Sequence, residues 1–276
     1  MLLYFILVLS TILTASIADA SVLPVEEDDD VVSRVTQGVK ARDGQFPHNV
    51  QLRHNQRFLC GGSIIHKRYI LTAAHCLYDF TNDTQAIKVT VGTNQLRDGD
   101  ATVYNAEALI LHEKYTPKLL DVKKNKTLQH NDIALIRLTQ DIEFKDKVKP
   151  IELATTDNYY NEGNKLIITG WGRRGSNITG LPNDMLMAMA NVHNFKDCVA
   201  TWDRVTRIDE GMFCYRGPKK ESSCNGDSGG PAISVQNNRL IGIVKGSYFC
   251  GEDKYPSLLM KVSYYVPWIK KNMIED

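Results

Sequence analysis

From residue 49 onward the chain repeats one pattern: a short run of alternating or continuous apolar residues, then a turn signal. The runs fall at 49–53, 62–65, 87–91, 106–111, 133–138, 165–169, 185–192 and 240–244. Between them stand Gly, Asn, Asp and Pro, and no stretch carries apolar residues at helical spacing. Many short strands without helices between them predict an all-β fold, a barrel or a sandwich. One segment breaks the rhythm. Over 264–273, Tyr265, Val266, Ile269 and Met273 fall on one face of a closing helix. The 276 residues, 43% apolar and 24% charged, match an ordinary soluble globular composition.

The N-terminus reads differently. Residues 2–13 form an almost unbroken apolar run, too short to span a bilayer, and Ala18-Asp19-Ala20 follows as a small-residue cleavage pattern. Residues 1–20 are therefore expected to be a secretory signal, with a signal anchor as the alternative. Residues 21–34 form an acidic leader with too little apolar content to fold alone. Removing residues 1–34, which carry six carboxylates and Arg34, turns the chain's formal +1 into +6. That charge is too small to argue for a nucleic-acid partner. No other stretch is suited to crossing a membrane. The six cysteines, none of them within residues 1–34, read as a disulfide set in an oxidising compartment, and sequence alone leaves fifteen pairings open.

One stretch has the markings of a site: Ser222-Ser223-Cys224-Asn225-Gly226-Asp227-Ser228-Gly229-Gly230-Pro231. Glycines around Ser228 permit backbone angles closed to other residues and a close approach of substrate. A loop of this kind can aim the amides of Gly226 and Ser228 at one point, where a developing oxyanion would sit. A serine hydroxyl needs a base, and the base needs an orienter. His75, in Thr72-Ala73-Ala74-His75-Cys76, and Asp132, at the head of Asp132-Ile133-Ala134-Leu135-Ile136, could supply them.

These three blocks resemble the signature blocks of the trypsin/chymotrypsin family of serine proteases, in that family's order of histidine, aspartate and serine. The resemblance runs from Val35 to the C-terminus. It implies two packed six-stranded antiparallel β-barrels, about 35–147 and 148–276, with a C-terminal helix and a cleft between them. It implies a triad of Ser228, His75 and Asp132 and an oxyanion hole of the Gly226 and Ser228 amides. Of the open pairings it picks Cys60–Cys76, Cys198–Cys214 and Cys224–Cys250. It also implies a zymogen cut after Arg34, whose new Val35 ammonium pairs with Asp227. The expected protein is a secreted monomeric endopeptidase with no cofactor and no metal; Thr93 stands where calcium-binding relatives place a glutamate. Its expected partners are protein or peptide substrates, an activating protease of trypsin-like specificity and protein inhibitors, and neither nucleic acid nor membrane.

Departures from the family pattern bear on specificity. Ser222 takes the base of the primary pocket, where an aspartate would be needed to pair with Arg or Lys. Ser247 and Ser257 take wall positions usually held by glycine. The expected preference is for apolar residues before the cut, chymotrypsin-like, with a narrower elastase-like slot as the alternative. Lys245 and Gly246 replace the family's serine and tryptophan in Val-Ser-Trp-Gly. A lysine there either disturbs Asp132 or turns outward, and the first case keeps open a catalytically silent homologue that acts by binding. Asn82, Asn125 and Asn177 each open a glycosylation acceptor triplet.

Overall fold

The computed structural model describes residues 38–97, 100–117, 119–121, 126–219, 221–247, 250 and 254–273. The expectations for residues 1–20 and 21–34, for Arg34 and Val35, and for Asn125 fall outside them. In chain order the strands are β1 (Val39–Lys40), β2 (Asn49–His54), β3 (Arg57–His66), β4 (Tyr69–Thr72), β5 (Ile87–Val91), β6 (Thr102–Leu111), β7 (Leu119–Asp121), β8 (Lys126–Leu128), β9 (Ala134–Leu138), β10 (Lys165–Gly170), β11 (Leu186–Val192), β12 (Met212–Arg216), β13 (Pro231–Ser234), β14 (Leu240–Gly246) and β15 (Ser257–Lys261). Helix α1 (Phe195–Trp202) lies between β11 and β12, and α2 (Val262–Asn272) follows β15.

The strands close two six-stranded antiparallel barrels. The first runs β2-β3-β4-β9-β6-β5. The second runs β11-β10-β13-β14-β15-β12 and closes where β12 pairs back on β11 through Asn191↔Arg216 and Val192↔Tyr215. Closure pairs every strand of the two barrels on both sides. Strand β1 adds to the outside of the second barrel, Val39 facing Met187 and Lys40 facing Leu186, although it precedes the first barrel in sequence. Strands β7 and β8 form a separate hairpin.

Alternation along the strands fills the barrels. Val50, Leu52, Ile64, Ile70, Ile87, Val89 and Leu135 are fully buried in the first, and Leu166, Ile168, Ala232, Val244 and Leu259 in the second. Each Val, Leu or Ile among them contributes roughly 1.5–3 kcal/mol by leaving water. Polar bonds cross from barrel to barrel. The Asn49 amide donates to Thr169 Oγ1 at 2.7 Å, and the Trp171 indole to the Asn94 carbonyl at 2.9 Å.

Element bounds depart from the sequence expectation where polar residues or glycine interrupt the alternation. Strand β3 begins at Arg57, ahead of the expected 62–65, because Cys60-Gly61-Gly62 hides its period. Helix α2 begins at Val262, and its buried face is Val262, Tyr265, Trp268 and Ile269. Helix α1 was not expected. Asn194 caps it by accepting from the amides of Lys196 and Asp197, and it buries Cys198 and Trp202. Strands β1, β4, β7, β8, β12, β13 and β15 were likewise not among the expected runs.

Candidate active site

Strand register brings His75 and Asp132 together. Thr72, the last residue of β4, faces Ala134, the first of β9. The chain leaving β4 and the chain entering β9 therefore share one end of the first barrel. His75 lies just past that end in a single 3-10 turn, Ala74–Cys76, and Asp132 just before β9. Both carboxylate oxygens of Asp132 are spent on His75: Oδ1 accepts its backbone amide and Oδ2 its ring Nδ1, each at 2.8 Å. With Nδ1–H donated to the carboxylate, Nε2 is left as the basic nitrogen. Asp132 is fully buried. Burial pushes its carboxyl up, but the charges of His75 and Lys245 and the two bonds from His75 hold it well below the usual carboxylate range.

Ser228 stands on the loop before β13. Its carbonyl accepts the amide of Gly61 in β3 at 2.8 Å, and the amide of Gly229 donates to Val244 in β14 at 2.8 Å. Gly229 has a φ of +76° and packs where a Cβ would lie 2.2 Å from Thr72 Oγ1 and 2.6 Å from the Gly61 carbonyl. No side chain fits there. The Cys60–Cys76 disulfide ties the residue before Gly61 to the residue after His75, so Ser228 and His75 are joined by a short path through the first barrel. Among the described residues no hydrogen bond joins Ser228 to the His75 ring, whose Nε2 lies 3.8 Å from Cys76 Sγ. Bonds of this kind often tighten only when substrate arrives. The sulfurs of Cys60 and Cys76 lie close to the His75 nitrogens, but they are bonded to each other and offer no thiolate to a metal.

Between Gly226 and Ser228, Asp227 turns inward and is 1% exposed. It accepts the amides of Gly172 at 2.7 Å and Cys224 at 2.8 Å. Burial pushes its carboxyl up to about 6 despite those two bonds. Gly226 sits at φ +106°. Among the described residues, the amides of Gly226 and Ser228 donate to no protein acceptor. Two unspent donors thus flank one inward-turned carboxylate.

Three consecutive residues before Asp132 are each held by the second barrel or its flanking segments. Lys245 on β14 donates to the Gln129 carbonyl at 3.0 Å and to Gln129 Oε1 at 2.8 Å. His130 Nδ1 pairs with Asp209 Oδ2 at 2.5 Å, and the Tyr265 hydroxyl of α2 donates to Asn131 Oδ1 at 3.3 Å. Of the two placements open for Lys245, the inward one holds: its side chain is 6% exposed, with Nζ 3.6 Å from Asp132 Oδ2. Gln129, His130 and Asp209 escaped sequence reasoning. Only Lys245 carried a signal, as an ion in an otherwise apolar strand.

The expected pocket residues also gather. Ser222 is half-buried, next to buried Ser223. Ser247 Oγ donates to the Ser223 carbonyl at 2.8 Å, linking the segment after β14 to the Ser228 loop. Ser257 opens β15 opposite Tyr215 of β12, and the Tyr215 hydroxyl accepts the Ser223 amide at 2.6 Å. Burial pushes that phenol up to about 12. Tyr215 was not expected. Cys224–Cys250 joins the two sides, and Cys198–Cys214 anchors α1 to β12. The three disulfides pair the cysteines as the resemblance implied. Asn82 and Asn177 are both exposed.

Comparison with known proteins places this geometry. A family model described as trypsin matches residues 35–269. Chymotrypsin-2 of Vespa crabro is 34% identical over 241 residues, covering 87% of this chain and 100% of that protein. Trypsin Blo t 3 of Blomia tropicalis is 34% identical over 242 residues, covering 86% and 85%. Among solved structures, neuropsin, a serine protease expressed in the limbic system of mouse brain, superposes with a TM-score of 0.75 at 30% identity, over 86% of this chain and 99% of that one.

Proposed function

The chain belongs to the trypsin family of serine proteases and is a serine-type endopeptidase; from that premise we propose that Ser228, His75 and Asp132 are its triad. Ser228 Oγ attacks the peptide carbonyl while His75 Nε2 takes its proton and later gives it to the leaving amine. Asp132 holds the tautomer and stabilises the imidazolium. The observation that carries this reading is the pair of hydrogen bonds that His75 donates to Asp132, from amide and ring together. The unspent amides of Gly226 and Ser228 receive the oxyanion, each donor worth ~3–4 kcal/mol in comparable sites. Water then releases the acyl group.

Activation follows from Asp227. A buried carboxylate met only by amide donors among the described residues calls for a cation. Cleavage after Arg34 would create one at Val35. Lys40 and Gly170 both face Leu186, so they lie about 10 Å apart, two strand spacings. Asp227 touches Gly170. The five residue steps from Val35 to Lys40 can span at most ~17 Å, enough to bring the amine to the carboxylate. In this scheme residues 1–20 are a secretory signal, 21–34 the activation leader and 35–276 the protease domain. Asn82, Asn125 and Asn177 are the candidate glycan acceptors, and Asn82 and Asn177 are exposed on turns.

Specificity is for apolar side chains before the cut. Ser222 offers no anion, and a buried substrate cation without a partner costs several kcal/mol. The Ser247–Ser223 bond narrows the slot and favours Leu, Met, Phe and Tyr over Trp. A phosphonate probe, applied before and after cleavage at Arg34, tests the activity. Labelling of Ser228 only in the cut form is expected, whereas no labelling in either form means the silent homologue, the reading that Lys245 beside Asp132 favours. A peptide library then reads relative kcat/KM. A preference for Arg or Lys overturns the pocket assignment, and one confined to Ala and Val makes it elastase-like.

A further inference from the structure

A lysine ammonium stands where it can act on the triad from behind. Lys245 reaches inward from β14, and its Nζ spends two bonds on Gln129, the residue three before Asp132. Gln129 is itself braced, its amide donating to the Tyr115 hydroxyl at 3.3 Å. The same Nζ lies 3.6 Å from Asp132 Oδ2, the oxygen that also accepts His75 Nδ1. One carboxylate oxygen therefore faces both the lysine Nζ and the His75 ring, on which a positive charge forms during the reaction. Among the described residues, the other ionisable groups placed near that carboxylate include Tyr115, the Tyr265 phenol of α2, and the His130–Asp209 pair on the loop before Asp132. None of them is a second fixed cation.

We propose that Lys245 is a positioning residue that sets the working pH of the triad, holding the Gln129 loop in place and balancing the charge of Asp132. This rests on the triad assigned above. The carboxylate's value to the reaction is its attraction for the imidazolium that forms when His75 takes the Ser228 proton. An ammonium on the same oxygen offsets part of that attraction in the transition state and in the resting enzyme alike. The same repulsion opposes a positive charge on the ring whether the proton comes from Ser228 or from solution, which ties Lys245 to the acid limb of the rate profile. It also lowers the rate on the alkaline plateau. The trade is reach in pH against turnover.

Four mature proteins decide it: wild type, Lys245→Gln, Lys245→Met and Lys245→Arg. Gln keeps a donor for Gln129 without charge, Met keeps only the stem, and Arg keeps the charge. The acid limb of the kcat/KM profile is expected to move up by about one pH unit in the Gln and Met variants, with kcat on the plateau rising severalfold. Arg should follow the wild type. The low-field proton resonance of the His75–Asp132 bond, recorded without substrate, should show the same displacement. Superimposable profiles for wild type and the Gln variant overturn the proposal, and so does a loss of kcat in every variant with the acid limb unmoved. Should the wild-type mature chain hydrolyse nothing, the triad reading falls, and the resonance still decides the charge-balancing role of Lys245.

Discussion

The amide of Gly61 donates to the carbonyl of Ser228 at 2.8 Å, so a residue of the second barrel's loop is held by a strand of the first. The neighbouring contacts make this junction intolerant. Gly229 packs against Thr72 and the Gly61 carbonyl with a left-handed backbone. Gly229→Ala must both strain φ and push the two barrels apart. Denaturant unfolding should show a loss of about 2–4 kcal/mol, and kcat/KM should fall at least ~100-fold, the scale of a site displaced by about an ångström. Wild-type stability and activity in this variant would mean that the barrels slide freely at that point.

Two disulfides make a matched pair. Cys60–Cys76 and Cys198–Cys214 both join residues with a sequence separation of 16. Chain entropy therefore predicts similar losses when each is replaced by two alanines, about 3 kcal/mol apiece. Activity should not be lost equally. Removing Cys60–Cys76 releases the segment that holds His75, whereas Cys198–Cys214 anchors only α1. Measured side by side, kcat should fall far more in the first variant. Equal falls would show that the disulfide beside His75 has no part in placing it.

Under the activation scheme proposed above, Asp227 couples activation to pH. Its folded carboxyl is raised to about 6 from 3.8, so the folded state favours the protonated form. The stability this confers is full below pH ~4 and is lost as pH rises through ~6, a change of about 3 kcal/mol. Arg34→Gln, which cannot be cut, should therefore unfold at a lower temperature at pH 7.5 than at pH 4.5, as far as this group decides. In the cut protein the Val35 ammonium offsets the cost. The gap in Tm between cut and uncut forms should then widen with pH, and a gap independent of pH would count against the pairing.

His48 acts in the opposite direction. It is 3% exposed, its Nε2 has no hydrogen-bond partner among the described residues, and burial pulls its imidazole down to about 3 from 6.5. Because the folded value is depressed, the neutral ring costs nothing above pH 6.5, and stability is lost as pH falls from 6.5 towards 3. The loss is about 5 kcal/mol at its full extent. His48→Leu should flatten the fall of Tm across that range. An unchanged acid slope would place the sensitivity in the carboxylates alone.

Fold class and site residues were legible for different reasons. Period-two runs such as 87–91 and 165–169 announce strands because each buries one face in a barrel. Strand β3 was cut short in the reading because Gly61 and Gly62 serve close backbone approach, to Gly230 and to Ile70 and Val50, and so carry no periodic signal. Helix α1 was missed because its buried contacts are only Cys198 and Trp202, too few for a period to register. His75, Asp132 and Ser228 were legible as local motifs. The clasp of Lys245, Asp209 and Tyr265 on residues 129–131 was not, since it joins positions some 80 to 130 residues apart that only the packing of two barrels brings together.

Strand β1 belongs to the second barrel while standing ahead of the first. Under the activation scheme proposed above, the amine freed at residue 35 is thus a ligand already tethered to its receptor. Short tethers of this kind supply effective concentrations on the order of millimolar, with no dependence on how much protein is present. Once the bond after Arg34 is cut, switching on should follow first-order kinetics at any dilution, and a free peptide carrying the same N-terminal residues could compete only at comparable millimolar levels.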